Sequence, residues 1–186
     1  MPYSSEHKPR TRERILTSAA KLFSHAGFEK VSIDQIMADA GLTRGAFYSH
    51  FADKSTLYAE AIQHASQYRF KRYTQTFDPE QITPFIEAYL SLTHLETDIP
   101  CALGFLITDI SQRDEQVRAT YTQMYERLLK NLAALGQDKT RTKHQYLAAS
   151  VLLIGGVALA RALNNEVLVQ EILTACKRVS HDLLNS

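Results

Sequence analysis

The residues best suited to chemistry lie in one short run, GLTRGAFYSHFADK, residues 41–54. If Thr43 opens a helix, then Arg44, Gly45 and Ala46 occupy its first turn, Phe47 faces inward and Phe51 anchors the following bend. An arginine placed there can offer paired donors to a guanine edge. Gly45 and Ala46 let the backbone come close, and an alanine methyl can touch that of thymine. Thr43, Tyr48, His50 and Lys54 carry hydroxyl, imidazole and ammonium donors suited to phosphate oxygens. The bland alternative, in which Tyr48 and His50 merely cover Phe47 and Phe51, leaves the convergence of so many donors on one element unexplained.

Other chemistries lack their residues. The chain has no GxGxxG or GxxxxGK[ST] loop to cradle phosphates, and no HExxH or GxSxG. Its seven histidines are scattered without helical metal-ligand pairs. Neither an enzyme site nor a metal or cofactor is expected. Cys101 and Cys176 form neither a CxxC pair nor a zinc spacing, and the first residues are polar, so a cytoplasmic, thiol-containing protein is expected.

Formal net charge is +1, with 21 basic and 20 acidic residues, so any anionic partner must be held by local charge. The first fourteen residues supply some, with Lys8, Arg10, Arg12 and Arg14 set against Glu6 and Glu13. At 186 residues, 45% hydrophobic and 22% charged, the chain is ordinary globular material.

The elements that must position the run are all helical. Ile15, Ala19, Leu22, Phe23 and Ala26 make one amphipathic stripe that Gly27 ends. Ser32 and Gln35 read as a capping box for a short helix with Ile33, Ile36, Met37 and Ala40 inward. Ala40-Gly41-Leu42 then joins it to the helix capped by Thr43, which is helix-turn-helix spacing. Asp53 caps a longer helix from Lys54 to about Thr76.

Further helices are expected at about 82–95, 101–111, 115–135, 146–163 and 167–184, and no useful strand alternation is found. Residues 146–163 are so apolar that they must be covered nearly all round; Arg161, Gly155-Gly156 and the lack of a second such stretch argue against a membrane span. In the last helix, Leu168, Ile172, Ala175, Cys176, Val179 and Leu183 share one stripe. Faces this rich often meet another subunit, and the Gly155-Gly156 pair suits a close helix crossing.

From about Thr11 to Ile62 the sequence RILTSAAKLFSHAGFEKVSIDQIMADAGLTRGAFYSHFADKSTLY resembles the tetracycline-repressor (TetR) family of bacterial transcriptional regulators. It shares that family's first helix ending in F…G, a short helix ending in AG, then [ST]xGxxYxHF and a lysine. Ser55-Thr56 depart from the family, where an acidic residue commonly follows the lysine.

The resemblance implies an all-α chain: residues 1–60 form an arm and three-helix helix-turn-helix DNA-binding domain, and residues 61–186 a helical-bundle regulatory, ligand-binding and dimerisation domain. It assigns Thr43, Arg44, Gly45 and Ala46 to bases, and Ser32, Tyr48, His50 and Lys54 to phosphates, with Arg12 a further phosphate contact. It also implies a homodimer through the last two helices, and hence a palindromic double-stranded operator with half-sites about 34–36 Å or more apart.

A small-molecule effector is expected to release the DNA, and Tyr73, Phe85, Tyr89, Phe105, Tyr121 and Tyr125 could line its pocket if they are not simply bundle core. Cys101 follows Pro100 at a helix start, where amide dipoles can activate a thiol, so sensing of electrophiles or oxidants is an alternative to a buried packing role. A non-enzymatic ligand-binding protein on the same scaffold is the remaining alternative.

Overall fold

A computed structural model describes residues 7–76, 82–136 and 141–185. Among them the backbone forms helices and no strand. The head comprises α1 (His7–Lys30), α2 (Ile33–Asp39), α3 (Arg44–Phe47) and the first turns of α4 (Lys54–Thr76). The body adds α5 (Ile82–Tyr89), α6 (Leu92–Leu95), α7 (Ala102–Phe105), α8 (Ile107–Ile110), α9 (Glu115–Leu135), α10 (Lys143–Ala162) and α11 (Glu166–Asn185).

Local chemistry accounts for the head. Gly27, at φ 76° and ψ 177°, breaks the helical path inside α1, in a region of backbone space open in practice only to glycine. The chain turns there so that Phe28 packs against Phe23 and Tyr58, with ring centroids 6.1 and 5.2 Å apart. Ser32 and Gln35 form the expected capping box. Ile15, Ala19, Phe23, Ile36, Met37, Phe47, Leu57 and Ile62 close the core beneath α3. The Asp53 carboxylate accepts from the Thr56 amide at 2.7 Å, opening α4 as expected.

The body departs from the expected helices in two places. Residues 82–95 are two helices rather than one, because the Ser91 hydroxyl accepts from the His94 amide and starts a new turn. Residues 101–111 likewise split at the buried Leu106, where the backbone leaves helical angles.

In α11 the buried stripe is Val169, Leu173, Ser180 and Leu184, one step round from the stripe of Leu168, Ile172, Ala175, Cys176, Val179 and Leu183. Leu168 and Val179 of that second stripe face outward, while Cys176 is half-buried. The helix has two apolar faces, and α10 covers only one of them.

The two adjacent glycines of α10 also divide. A Cβ on Gly156 would stand 3.0 Å from both Cys176 Sγ and Leu90 Cδ2, so this glycine permits the close crossing of α10 with α11; a Cβ on Gly155 would meet nothing within 4 Å. Helix α10 is long and apolar enough to cross a membrane, but Ala149, Leu153, Ile154, Val157 and Ala160 are packed inside the bundle.

Candidate nucleic-acid interface

Helix α3 is a single turn held from below by Phe47, which stacks on Phe51 at 5.8 Å. Thr43 takes the extended backbone of an N-cap without using its side chain as one. Thr43, Arg44, Gly45 and Tyr48 are exposed, while Ala46 is half-buried against the core. A Cβ added to Gly45 would meet no atom within 4 Å. The fold itself therefore makes no demand for glycine at this position.

The structure adds a residue that the sequence reading missed. Arg44 Nη1 donates to Asp34 Oδ2 at 2.8 Å, joining the first turn of α3 to that of α2. The Tyr48 hydroxyl and the Asp34 carboxylate beside the guanidinium, in that order of effect, raise the Arg44 pKa above its ordinary value. The signal was available in principle, since Asp34 lies in the turn after the Ser32 cap, but only folding brings positions ten apart together across the turn.

The proposed phosphate ligands fall into two groups. At one edge of α3, His50 is half-buried and Arg12 stacks on Phe51 at 4.7 Å while pairing with Glu60. Burial first, then the positive charges of Lys8 and Arg12, lower the His50 pKa. Its Nδ1 is buried with no hydrogen-bond partner among the described residues. Arg14, another residue of the basic arm, instead donates to the Ala40 carbonyl at 2.5 Å and closes the end of α2. Ser32 is exposed, with its hydroxyl engaged in the capping box.

Lys54 lies elsewhere, with its ammonium 4.2 Å from the Phe28 ring centroid. Burial is the main cause of its lowered pKa. It is part of the junction between head and body, where Arg113 also stacks on Phe28 at 4.7 Å and pairs with Glu29 at 2.5 Å. Asp109 accepts from the Phe28 amide at 3.3 Å and from the Tyr58 hydroxyl at 2.5 Å. Burial and then that hydrogen bond push the Tyr58 pKa up. Ser55 donates to Asp114, the cap of α9. The residue that departs from the family pattern thus ties the head to the body, and an acidic side chain there would face a carboxylate.

In the body, the Phe85 and Tyr89 rings lie 5.7 Å apart. Tyr121 donates to the Leu103 carbonyl at 2.6 Å, and the Tyr125 hydroxyl shares a 2.8 Å hydrogen bond with Ser150. Phe105 lies under Arg161 at 4.1 Å. The side chain of Tyr73 lies outside the described residues. Cys101 is buried at the start of the four-residue α7, its sulfur 3.2 Å from the Tyr89 hydroxyl.

Comparison with known proteins bears on this head and body. Residues 15–61 match the N-terminal domain of the family described as bacterial regulatory proteins, tetR family. The chain is 25% identical over 166 residues to the HTH-type transcriptional regulator LmrA of Bacillus subtilis (strain 168), spanning 83% of this chain and 88% of that protein. It is 50% identical over 50 residues to the HTH-type transcriptional regulator AcrR of Shigella flexneri, 27% of this chain and 23% of that one. In fold it resembles the reduced form of NemR from E.coli, with a TM-score of 0.78 at 15% identity over 94% of this chain and 98% of that one. These relatives are regulators rather than enzymes. From the helix-turn-helix upward, the chain is a DNA-binding transcriptional regulator of the TetR family.

Proposed function

We propose that this regulator is a repressor that binds a palindromic operator as a homodimer in the cytoplasm and leaves it when a small apolar or aromatic effector binds the body. Residues 1–60 serve as the DNA-binding domain and residues 61–186 as the regulatory and dimerisation domain. Thr43, Arg44, Gly45 and Ala46 read bases. Ser32, Tyr48, His50 and Arg12 hold phosphates, and Lys54 does so from the edge of the junction.

The observation that carries the reading is the outward apolar surface of two adjacent helices. Val151 and Leu159 on α10 are 63% and 55% exposed, and Val167 on α11 is 69% exposed. Leu168 and Val179 add to the same helix. Apolar surface of this extent on neighbouring helices favours a second copy as its cover. A two-fold axis there presents two α3 turns to one DNA molecule.

Release requires an effector that binds one spacing of the two heads better than the other, since only differential affinity shifts the equilibrium. Tyr73, Phe85, Tyr89, Phe105, Tyr121 and Tyr125 are the residues for that pocket. Cys101, buried against Tyr89, is read as packing.

Light scattering tests the assembly: wild type is expected to be a dimer, and Val151→Lys with Leu159→Lys a folded monomer. Losing the linkage between heads should weaken binding to a palindromic duplex by about a hundredfold, the scale of bivalent avidity. A wild-type monomer that prefers no duplex from a random-sequence library would overturn the reading.

A further inference from the structure

We propose that Asp34 is a specificity-determining residue of the DNA-reading face: its carboxylate aims the Arg44 guanidinium at a base edge and withholds it from phosphates. This rests on the reading that Arg44 faces bases. The ion pair is 2.8 Å long, and the two side chains are 59% and 60% exposed. A pair so open to water contributes little to folding. Asp34 is not the cap of α2, a role that Ser32 and Gln35 fill reciprocally, and its exposed first-turn carboxylate gains only the modest, solvent-screened attraction of the helix dipole. The carboxylate therefore stands on the surface that meets a polyanion without a structural reason strong enough to place it there.

Its position supplies a reason in binding. A guanidinium carries five N–H donors, so one engaged by Asp34 leaves the pair that guanine O6 and N7 require. With Asp34 on one side and Tyr48 beside it, Arg44 is held in one orientation before DNA arrives. That pre-ordering lowers the entropic cost of a directional contact.

Random DNA presents the opposite case: where no guanine edge meets the held guanidinium, Arg44 gains a strong partner only by swinging away from Asp34 to a phosphate. The abandoned carboxylate then stands unpaired in the phosphate field, where like charges repel. A guanine edge in the operator can be met with the ion pair intact. Asp34 thus lowers affinity for every sequence except those that satisfy Arg44 in place, which is discrimination by a repulsive element.

The test uses two probes: a duplex enriched by the wild-type protein from a random-sequence library, and a scrambled duplex of equal length and composition. Binding of the wild type, Asp34→Asn and Arg44→Ala is followed by fluorescence anisotropy across a salt series. Asp34→Asn should bind the scrambled duplex about three- to tenfold more tightly and steepen its log–log salt dependence by about one, the signature of one more phosphate contact. Affinity for the enriched duplex should change by less than about twofold, so the preference shrinks by a similar three- to tenfold.

A shift of both duplexes by the same factor would overturn the role of Asp34. Arg44→Ala separates the levels. If it loses the preference while Asp34→Asn retains it, the proposal fails and the reading of Arg44 stands; if Arg44→Ala keeps the preference, both fail. Circular dichroism melting confirms that the near-isosteric Asp34→Asn is folded in each measurement.

Discussion

The head presents two faces made from the same residue types and put to opposite uses. On the proposed reading face an arginine, Arg44, pairs with a carboxylate, Asp34, beside an aromatic, Tyr48, and all three are exposed. On the docking face an arginine, Arg113, pairs with Glu29 and stacks on Phe28, and Tyr58 donates to Asp109. The Arg113 side chain is only 10% exposed, and Tyr58 is fully buried. A buried donor that lost its partner would leave a desolvated polar group, so those contacts hold the domains in place. An exposed donor held in a set orientation can exchange water for a ligand at small cost. Substitutions on the two faces should therefore separate stability from DNA binding.

Phe47 tests the limit of that separation and carries the largest expected effect. It is fully buried under the reading turn, so Phe47→Ala removes the support on which the exposed donors stand. We expect a loss of about 3–5 kcal/mol in urea denaturation, the usual cost of emptying a phenylalanine site, together with loss of DNA binding. Retention of DNA binding would show that the turn orders itself without the core.

Arg44→Ala and Tyr58→Phe should then fall on opposite sides. Arg44→Ala is expected to weaken binding to the preferred duplex by about tenfold to a hundredfold while leaving the thermal midpoint where it was. Tyr58→Phe keeps the ring but leaves Asp109 short of a donor, and should lower stability by about 1–3 kcal/mol without altering base preference. If either changed both properties, the two faces would be one mechanical unit.

Apart from the pairing of Arg44 with Asp34, the elements of the reading face were legible in the sequence because they are local. A capping box, a glycine at a bend and a four-residue turn are each written within ten positions, and their types suffice to order them. The docking face was not, because its partners lie far apart in the chain: Asp109 reaches Tyr58 across 51 positions and Arg113 reaches Glu29 across 84.

Lys54 shows the consequence. Its place at a helix start suggested a phosphate ligand, and packing adds a contact with Phe28 that arises only because α1 breaks at Gly27. In α11 one apolar stripe was legible, but the helix has a second, Val169, Leu173 and Leu184, and periodicity alone does not say which of the two lies inside the chain. The breaks at Ser91 and Leu106 depend on a serine hydroxyl and a buried leucine, neither of which interrupts the apolar pattern.

Two glycines sharpen the comparison at its smallest scale. Gly27 belongs to the docking face: at φ 76° a side chain is strained, and its Cβ would sit 3.2 Å from Asp109 Oδ1. Gly27→Ala should cost about 1–3 kcal/mol and loosen the Phe28 junction, visible as a lower thermal midpoint. Gly45 belongs to the reading face, in helical backbone with open space where a Cβ would go. Gly45→Ala should raise stability by up to about 0.5–1 kcal/mol, the helix-propensity gain over glycine, and weaken DNA binding because the added methyl stands where the duplex must approach. One substitution then removes stability and the other adds it, with loss of DNA affinity attached to the stabilised variant. A Gly45→Ala protein that bound its preferred duplex as tightly as wild type would mean that the backbone of α3 does not come close to DNA, and that the open space above it is not where the duplex lies.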